Sequence, residues 1–160
     1  MSQRGRFSVA VAALAGAVPV VSGCSDSGDR RPSILITPTS LGAVYLRESR
    51  ADVTSTLGAG RFVRGSGGDA TVRYPNAGLT IFFAGGRAYF VRTHDRRYRT
   101  SGGVGVGSTV AGVATLPGID CNAPEGKGTC ESRKNNGVPG LEFDIADGRV
   151  TEVQLVVRQT

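Results

Sequence analysis

Leu141-Glu142-Phe143-Asp144-Ile145 alternates apolar and acidic side chains, Ala146-Asp147-Gly148 follows as a turn, and Val150 to Val157 returns. Val150, Val153 and Leu155 carry most of the apolar set of the returning run. Successive side chains of a strand point to opposite faces, so a period of two with one wet face specifies an antiparallel sheet with helices on its other face. Glu142, Asp144 and Glu152 then fall on the wet face, and Asp147 in the turn. An earlier stretch reads the same way. Thr71 to Tyr74 stops at the turn Pro75-Asn76-Ala77-Gly78, Leu79 to Phe83 is an apolar β-rich run, and Ala84-Gly85-Gly86-Arg87 turns into Ala88 to Val91. Gly65 to Gly68 reads as a flexible hairpin tip.

The two hairpins belong to a longer internal correspondence. At a spacing of 60, Val44, Leu46, Ser49, Ala51, Val53 and Gly58 match Val104, Val106, Thr109, Ala111, Val113 and Gly118. At a spacing of 62, Gly78-Leu79, Gly86-Arg87 and Val91 match Gly140-Leu141, Gly148-Arg149 and Val153. Matches in the same order at nearly one offset indicate a duplicated unit. Ser49 and Thr109 have the side chains of helix N-caps, and Asp52 makes a weak capping box with Ser49. Val53 and Leu57 share one face of a short first helix that Gly58 stops; Gly112 weakens the second helix and Pro117 ends it. The expected fold is therefore α+β: two tandem α-β-β repeats, about 41–93 and about 101–158, with short helices packed on an antiparallel sheet.

The first 24 residues carry a different message. Met-Ser-Gln-Arg-Gly-Arg is a short positive leader, and residues 7–21 are 15 uncharged, mostly apolar positions, too few to span a bilayer comfortably. Val21-Ser22-Gly23-Cys24 closes the segment with small residues before a cysteine. This resembles the lipobox of bacterial lipoproteins, which implies removal of the signal peptide 1–23, a diacylglycerol on Cys24, and residence on the extracytoplasmic face of the cell membrane. Two or more acyl chains hold a protein on a bilayer stably. Residues 24–38 then read as the lipidated cysteine and a flexible polar tether, with the α+β domain over 39–160; Ile34-Leu35-Ile36 either pairs as an edge strand or ends the tether.

Loss of residues 1–23 takes Arg4 and Arg6 with it, leaving 17 basic residues against 13 acids, a net of +4. Only Lys127 and Lys134 are lysines, which with 24 Gly suggests the codon bias of a high-GC genome. The mild excess suits anionic lipid or wall polymer, and export argues against nucleic acid. Cys121 and Cys130, in an oxidising compartment, read as a disulfide across a loop holding Asn122, Pro124, Gly126 and Gly128. A two-cysteine metal site lacks further ligands, since the only histidine, His94, is far along the chain.

A Gly-led start, a capped short helix ending in Leu-Gly or Pro-Gly, and a β-hairpin with a Gly-Arg turn, twice over, resemble two groups. One is the β-lactamase-inhibitory-protein-like group; the other is the small lipoprotein of the outer-membrane barrel-assembly machinery. The likeness spans roughly residues 41–158 and implies a helix-on-sheet domain that works by binding protein. Its motifs are folding signals; no inhibitory loop motif matches, and the first repeat has no cysteine, so no functional residue carries over.

Chemistry is thinly marked. His94 lies beside Asp95, but neighbours in an extended chain face opposite ways, so a catalytic His94 would need an acid from the other repeat across a concave pocket. Arg92, Arg96, Arg97 and Arg99, with Arg87 near, form either an anion-binding patch or a charged connector whose arginine stems cover the sheet end. Tyr98 and Thr100 secure that connector. Gly102 to Thr109 looks like a phosphate loop but lacks its lysine. No catalytic residues, metal or cofactor are expected. The reading is a membrane-anchored envelope lipoprotein with a non-catalytic protein-binding or scaffolding domain and another envelope protein as partner. The alternative is a lipoprotein that binds an anionic envelope glycan or lipid through the arginine patch.

Overall fold

Strands dominate the computed structural model, which describes residues 33–133 and 139–157. In chain order they are β1 (Ile34–Leu35), β2 (Ser40–Leu41), β3 (Val44–Tyr45), α1 (Arg50–Leu57), β4 (Arg61–Ser66), β5 (Asp69–Tyr74), β6 (Leu79–Ala84) and β7 (Arg87–Thr93). There follow β8 (Tyr98–Arg99), α2 (Val110–Ala114), β9 (Ile119–Asn122), β10 (Gly128–Ser132), β11 (Pro139–Ala146) and β12 (Arg149–Val157). The signal segment 1–23, Cys24 and the tether up to residue 32 lie outside the described residues.

Eight strands form one sheet in the order β4-β5-β6-β7-β12-β11-β10-β9, antiparallel at every pairing. Two four-stranded meanders thus meet edge to edge at β7 and β12. Register stacks the apolar positions into two rungs on one face. Val72, Ile81, Val91, Leu155 and Leu141 are successive partners, as are Tyr74, Leu79, Thr93, Val153, Phe143 and Cys130. All of them are buried, and Val53 of α1 and Val113 of α2 join them in the core. Each fully buried side chain of this size stabilises by roughly 1.5–3 kcal/mol.

Both helices start as the sequence predicts. The Ser49 hydroxyl accepts from the Asp52 amide at 3.2 Å, and Thr109 accepts from the Gly112 amide at 3.2 Å. Their bulk does not match the expectation. The helices have only eight and five residues, and four strands rather than two follow each of them. The expected α+β domain of two tandem α-β-β repeats is therefore incorrect: the protein is mostly β. The overlooked strands are β4 at one edge of the sheet, and β9 with its neighbour β10 at the other. β4 is exposed along its whole length, and β9 is exposed or half-buried, so neither shows an apolar alternation. Edge strands pair through backbone and need not bury a side-chain face.

Ile34 and Leu35 pair in parallel with Tyr98 and Arg99, and Ile36 is buried, so the folded part takes in these residues. In the connector, Gly105 passes so close to the chain that a Cβ there would run into the Tyr98 carbonyl oxygen. The Gly-rich 102–109 segment is thus explained by packing, with Val104 and Val106 buried and the Gly107 amide bonded to the Val150 carbonyl.

Cys121 and Cys130 face each other across β9 and β10 and form a disulfide, as the sequence predicts. The bond ties the outermost strand to its neighbour. Replacing both by alanine is expected to lower unfolding free energy by about 2–3 kcal/mol, given the short loop closed. Urea unfolding of the double variant checks this, and an unchanged midpoint would show that the bond constrains nothing the sheet does not already hold.

Candidate functional site

The sheet face opposite the helices is open, and register writes a charge pattern across it. Arg61, Arg73, Thr80, Arg92, Gln154, Glu142, Glu131 and Asp120 are successive cross-strand partners from β4 to β9. Arginines thus occupy one end of the rung and acids the other. One step along the strands, Thr71, Phe82, Phe90 and Val156 form the next rung. The Phe82 and Phe90 rings meet edge to face with centroids 4.8 Å apart.

At the centre, where β7 meets β12, Glu152 is buried on this polar face. Its Oε2 lies 2.7 Å from His94 Nε2 and 3.5 Å from the Arg92 guanidinium, and its Oε1 accepts from Gln154 Nε2 at 2.8 Å. Gln154 Nε2 also donates to Asp144 at 2.8 Å. A buried carboxylate is tolerated when its lone pairs are met in this way. Arg92 also sits over the Phe82 ring, 5.3 Å from its centroid, while its Nε is buried with no hydrogen-bond partner among the described residues.

His94 therefore does meet an acid from the other half of the sheet, and it borders a cleft. Its second nitrogen, Nδ1, donates to the Thr151 carbonyl at 3.1 Å. A general base keeps one ring nitrogen for the substrate while the other is oriented by an acid. Here both nitrogens are engaged by β12, so the ring acts as a clamp between β7 and β12. Asp95 plays no part in it: its carboxylate takes the Arg97 Nε at 2.8 Å and Nη2 at 2.6 Å.

The five arginines of the expected patch are not gathered. Arg87 donates to the Arg47 carbonyl at the base of a hairpin, Arg97 is held by Asp95, and Arg99 bonds to the Arg96 carbonyl and the Ser108 hydroxyl. Arg96 and Arg99 border a cavity of about 300 Å³ together with Arg149, whose guanidinium bonds to the Gly107 carbonyl. Arg92 instead borders a different cleft, of about 450 Å³, with Arg61, Arg73, Thr80, His94 and Gly78. Arg61 and Arg73 were missed in the sequence because they stand twelve residues apart. Strand register was the only signal that could have joined them. Among the described residues no group of three or more His, Cys, Asp or Glu could hold a metal ion.

No family model, no curated protein and no solved structure matches the chain.

Tyr98 secures the connector behind the cleft. It is buried, and its hydroxyl donates to the Ala77 carbonyl at 2.7 Å. Burial first and the nearby Asp95 carboxylate second push its pKa up from 10.0 to about 12, against a smaller opposing pull from Arg97. Between those values the unfolded chain loses the proton while the folded one keeps it, so the contribution of this group is full below pH 10 and is lost as pH rises toward 12. Tyr98→Phe is expected to cost about 1–3 kcal/mol at neutral pH, by stranding the Ala77 carbonyl. The gap between wild type and Y98F in urea titrations is expected to shrink across that alkaline window; a constant gap would contradict the raised pKa.

Proposed function

We propose that the protein is an envelope lipoprotein, anchored through lipid on Cys24 at the extracytoplasmic face of the cell membrane, whose domain binds another envelope protein through the open face of the sheet. The observation that supports docking most directly is that the helices cover one face only. The other carries the Phe82–Phe90 pair, with Tyr89, 42% exposed, bordering the same depression as Phe82 and Thr71. Aromatic side chains set among polar ones supply large contact area on rigid strands, the usual chemistry of a recognition patch. The anchor rests on the charged leader, the apolar run and Val21-Ser22-Gly23-Cys24.

Two measurements test the reading. Cys24→Ala is expected to remove the acyl mass from the protein and release it from the membrane fraction; retention of both would remove the anchor. A photo-cross-linking residue placed at Phe90, in native membranes, is expected to capture one envelope protein in stoichiometric yield. The same probe at Ser55, exposed on α1, is expected not to capture it. Equal capture from both positions would overturn the open face as the docking surface.

A further inference from the structure

We infer that the cleft between Arg61, Arg73 and Arg92 is a binding site for the phosphate group of a small ester. It stands beside the aromatic patch on the same face and does not depend on the protein-docking reading. The first observation is a like-charge contact that the fold does not relieve. Arg61 and Arg73 are direct cross-strand partners, an arrangement that costs stability when both are charged. Among the described residues neither has an ion-pair or hydrogen-bond partner for its guanidinium. Thr80 separates Arg73 from Arg92 on the same rung, so three guanidiniums and one hydroxyl border the same cleft of about 450 Å³.

The second observation is independent of net charge. Arg92 is fixed in place by the Phe82 ring and Glu152, yet its Nε is buried and without a partner. The Nε is closed to solvent while the side chain as a whole is 40% exposed, so a guest meets the guanidinium through its outer N–H groups, on an arginine already held in place. Of the nearby acids, Asp95 already holds Arg97 at 2.6 Å and Glu152 lies 3.5 Å from Arg92, so among the described residues the charges of Arg61 and Arg73 stay unopposed.

What fits such a site is a compact oxyanion with more than one charge. Guanidinium forks pair with carboxylate or phosphate through parallel N–H···O bonds. Three forks bordering one concavity favour a tetrahedral phosphate over a single planar carboxylate, and the volume leaves room for the body of an ester. The group could be carried by a soluble phosphate ester or by a lipid headgroup.

The test uses the full lipidated protein in a non-ionic detergent at ~0.15 M salt, where surface charge is largely screened. Inorganic phosphate, glycerol 3-phosphate, dihexanoyl phosphatidylglycerol and dihexanoyl phosphatidylcholine are titrated while the arginine Nε–H signals are followed by NMR. Saturable shifts at Arg92 are expected, with affinity falling about tenfold or more in Arg61→Gln and in Arg73→Gln, the effect of losing one charge-assisted hydrogen bond. Arg96→Gln, which borders the other cavity, is expected to bind as wild type does. Binding of the soluble esters identifies a free ester as the source; binding of the glycerol lipid alone identifies a headgroup. Either supports the site, provided the arginine variants lose it. No saturable binding by any of these ligands, or equal binding by wild type and the R61Q/R73Q double variant, would overturn it. The double variant is expected to unfold at a urea concentration no lower than wild type when no ligand is present, because it removes a repulsion; this separates lost binding from lost folding.

Discussion

The pairing of β7 with β12 holds the sheet together and decides what each of its faces carries. It consists of four residue pairs: Thr93 with Val153, Arg92 with Gln154, Val91 with Leu155, and Phe90 with Val156. A slip of one residue would turn Val91 and Leu155, both fully buried, toward water and drive Arg92 and Gln154 into the core. The same slip would separate the edge rungs, since every strand beyond takes its register from these two. The hydrophobic cost alone opposes it, at roughly 1.5–3 kcal/mol for each large side chain exposed.

Polar contacts across the seam select the same register. Glu152 receives His94 and Arg92 only when β7 and β12 are aligned as they are, while Gln154 reaches it from within β12. Replacing such a buried cluster with apolar side chains often leaves stability unchanged, so its contribution is better understood as specificity: misaligned states would bury a carboxylate without partners. Arg61 and Arg73 contrast with this. Glu152 is surrounded by donors and satisfied, whereas the two arginines face each other with no acid between them. The open face therefore holds both a closed, self-sufficient polar cluster and, beside it, an unbalanced positive one.

How far these features were legible depended on whether they are local. Ser49 and Thr109 could be read as N-caps because capping involves only the next three residues. The central hairpins could be read because Leu141 to Ile145 and Leu79 to Phe83 lie between one covered and one open face, which imprints a pattern on a single strand. β4 and β10 carry no comparable pattern: the first is wholly exposed, and the second mixes Gly128, Thr129 and Ser132 around a cysteine. The missed strands made the protein look more helical than it is. The expected arginine patch is split for a related reason. Once the connector turns, Arg92 borders one cleft and Arg96 and Arg99 another, with Arg97 drawn back to Asp95. Arg61 and Arg73, distant in the chain, became neighbours through register alone.

The helices are fastened to the sheet independently of the open face. Ser49 bridges to Arg87 and Thr109 to Arg149 through backbone, and each of these arginines donates its guanidinium to a carbonyl just before the helix, of Arg47 and of Gly107. The core is closed from that side by Val53 and Val113. Because strand side chains alternate, the residues that pack against the helices are never the ones that face outward. Phe82, Phe90 and Arg73 thus stand on strands whose packing is secured from the opposite face, while Arg61 stands on the exposed edge strand β4, held by its pairing with β5. Binding side chains held on rigid elements keep their geometry without having to stabilise it, and that separation lets one face of a small sheet keep the unrelieved charge and exposed aromatic surface that a protein core would exclude.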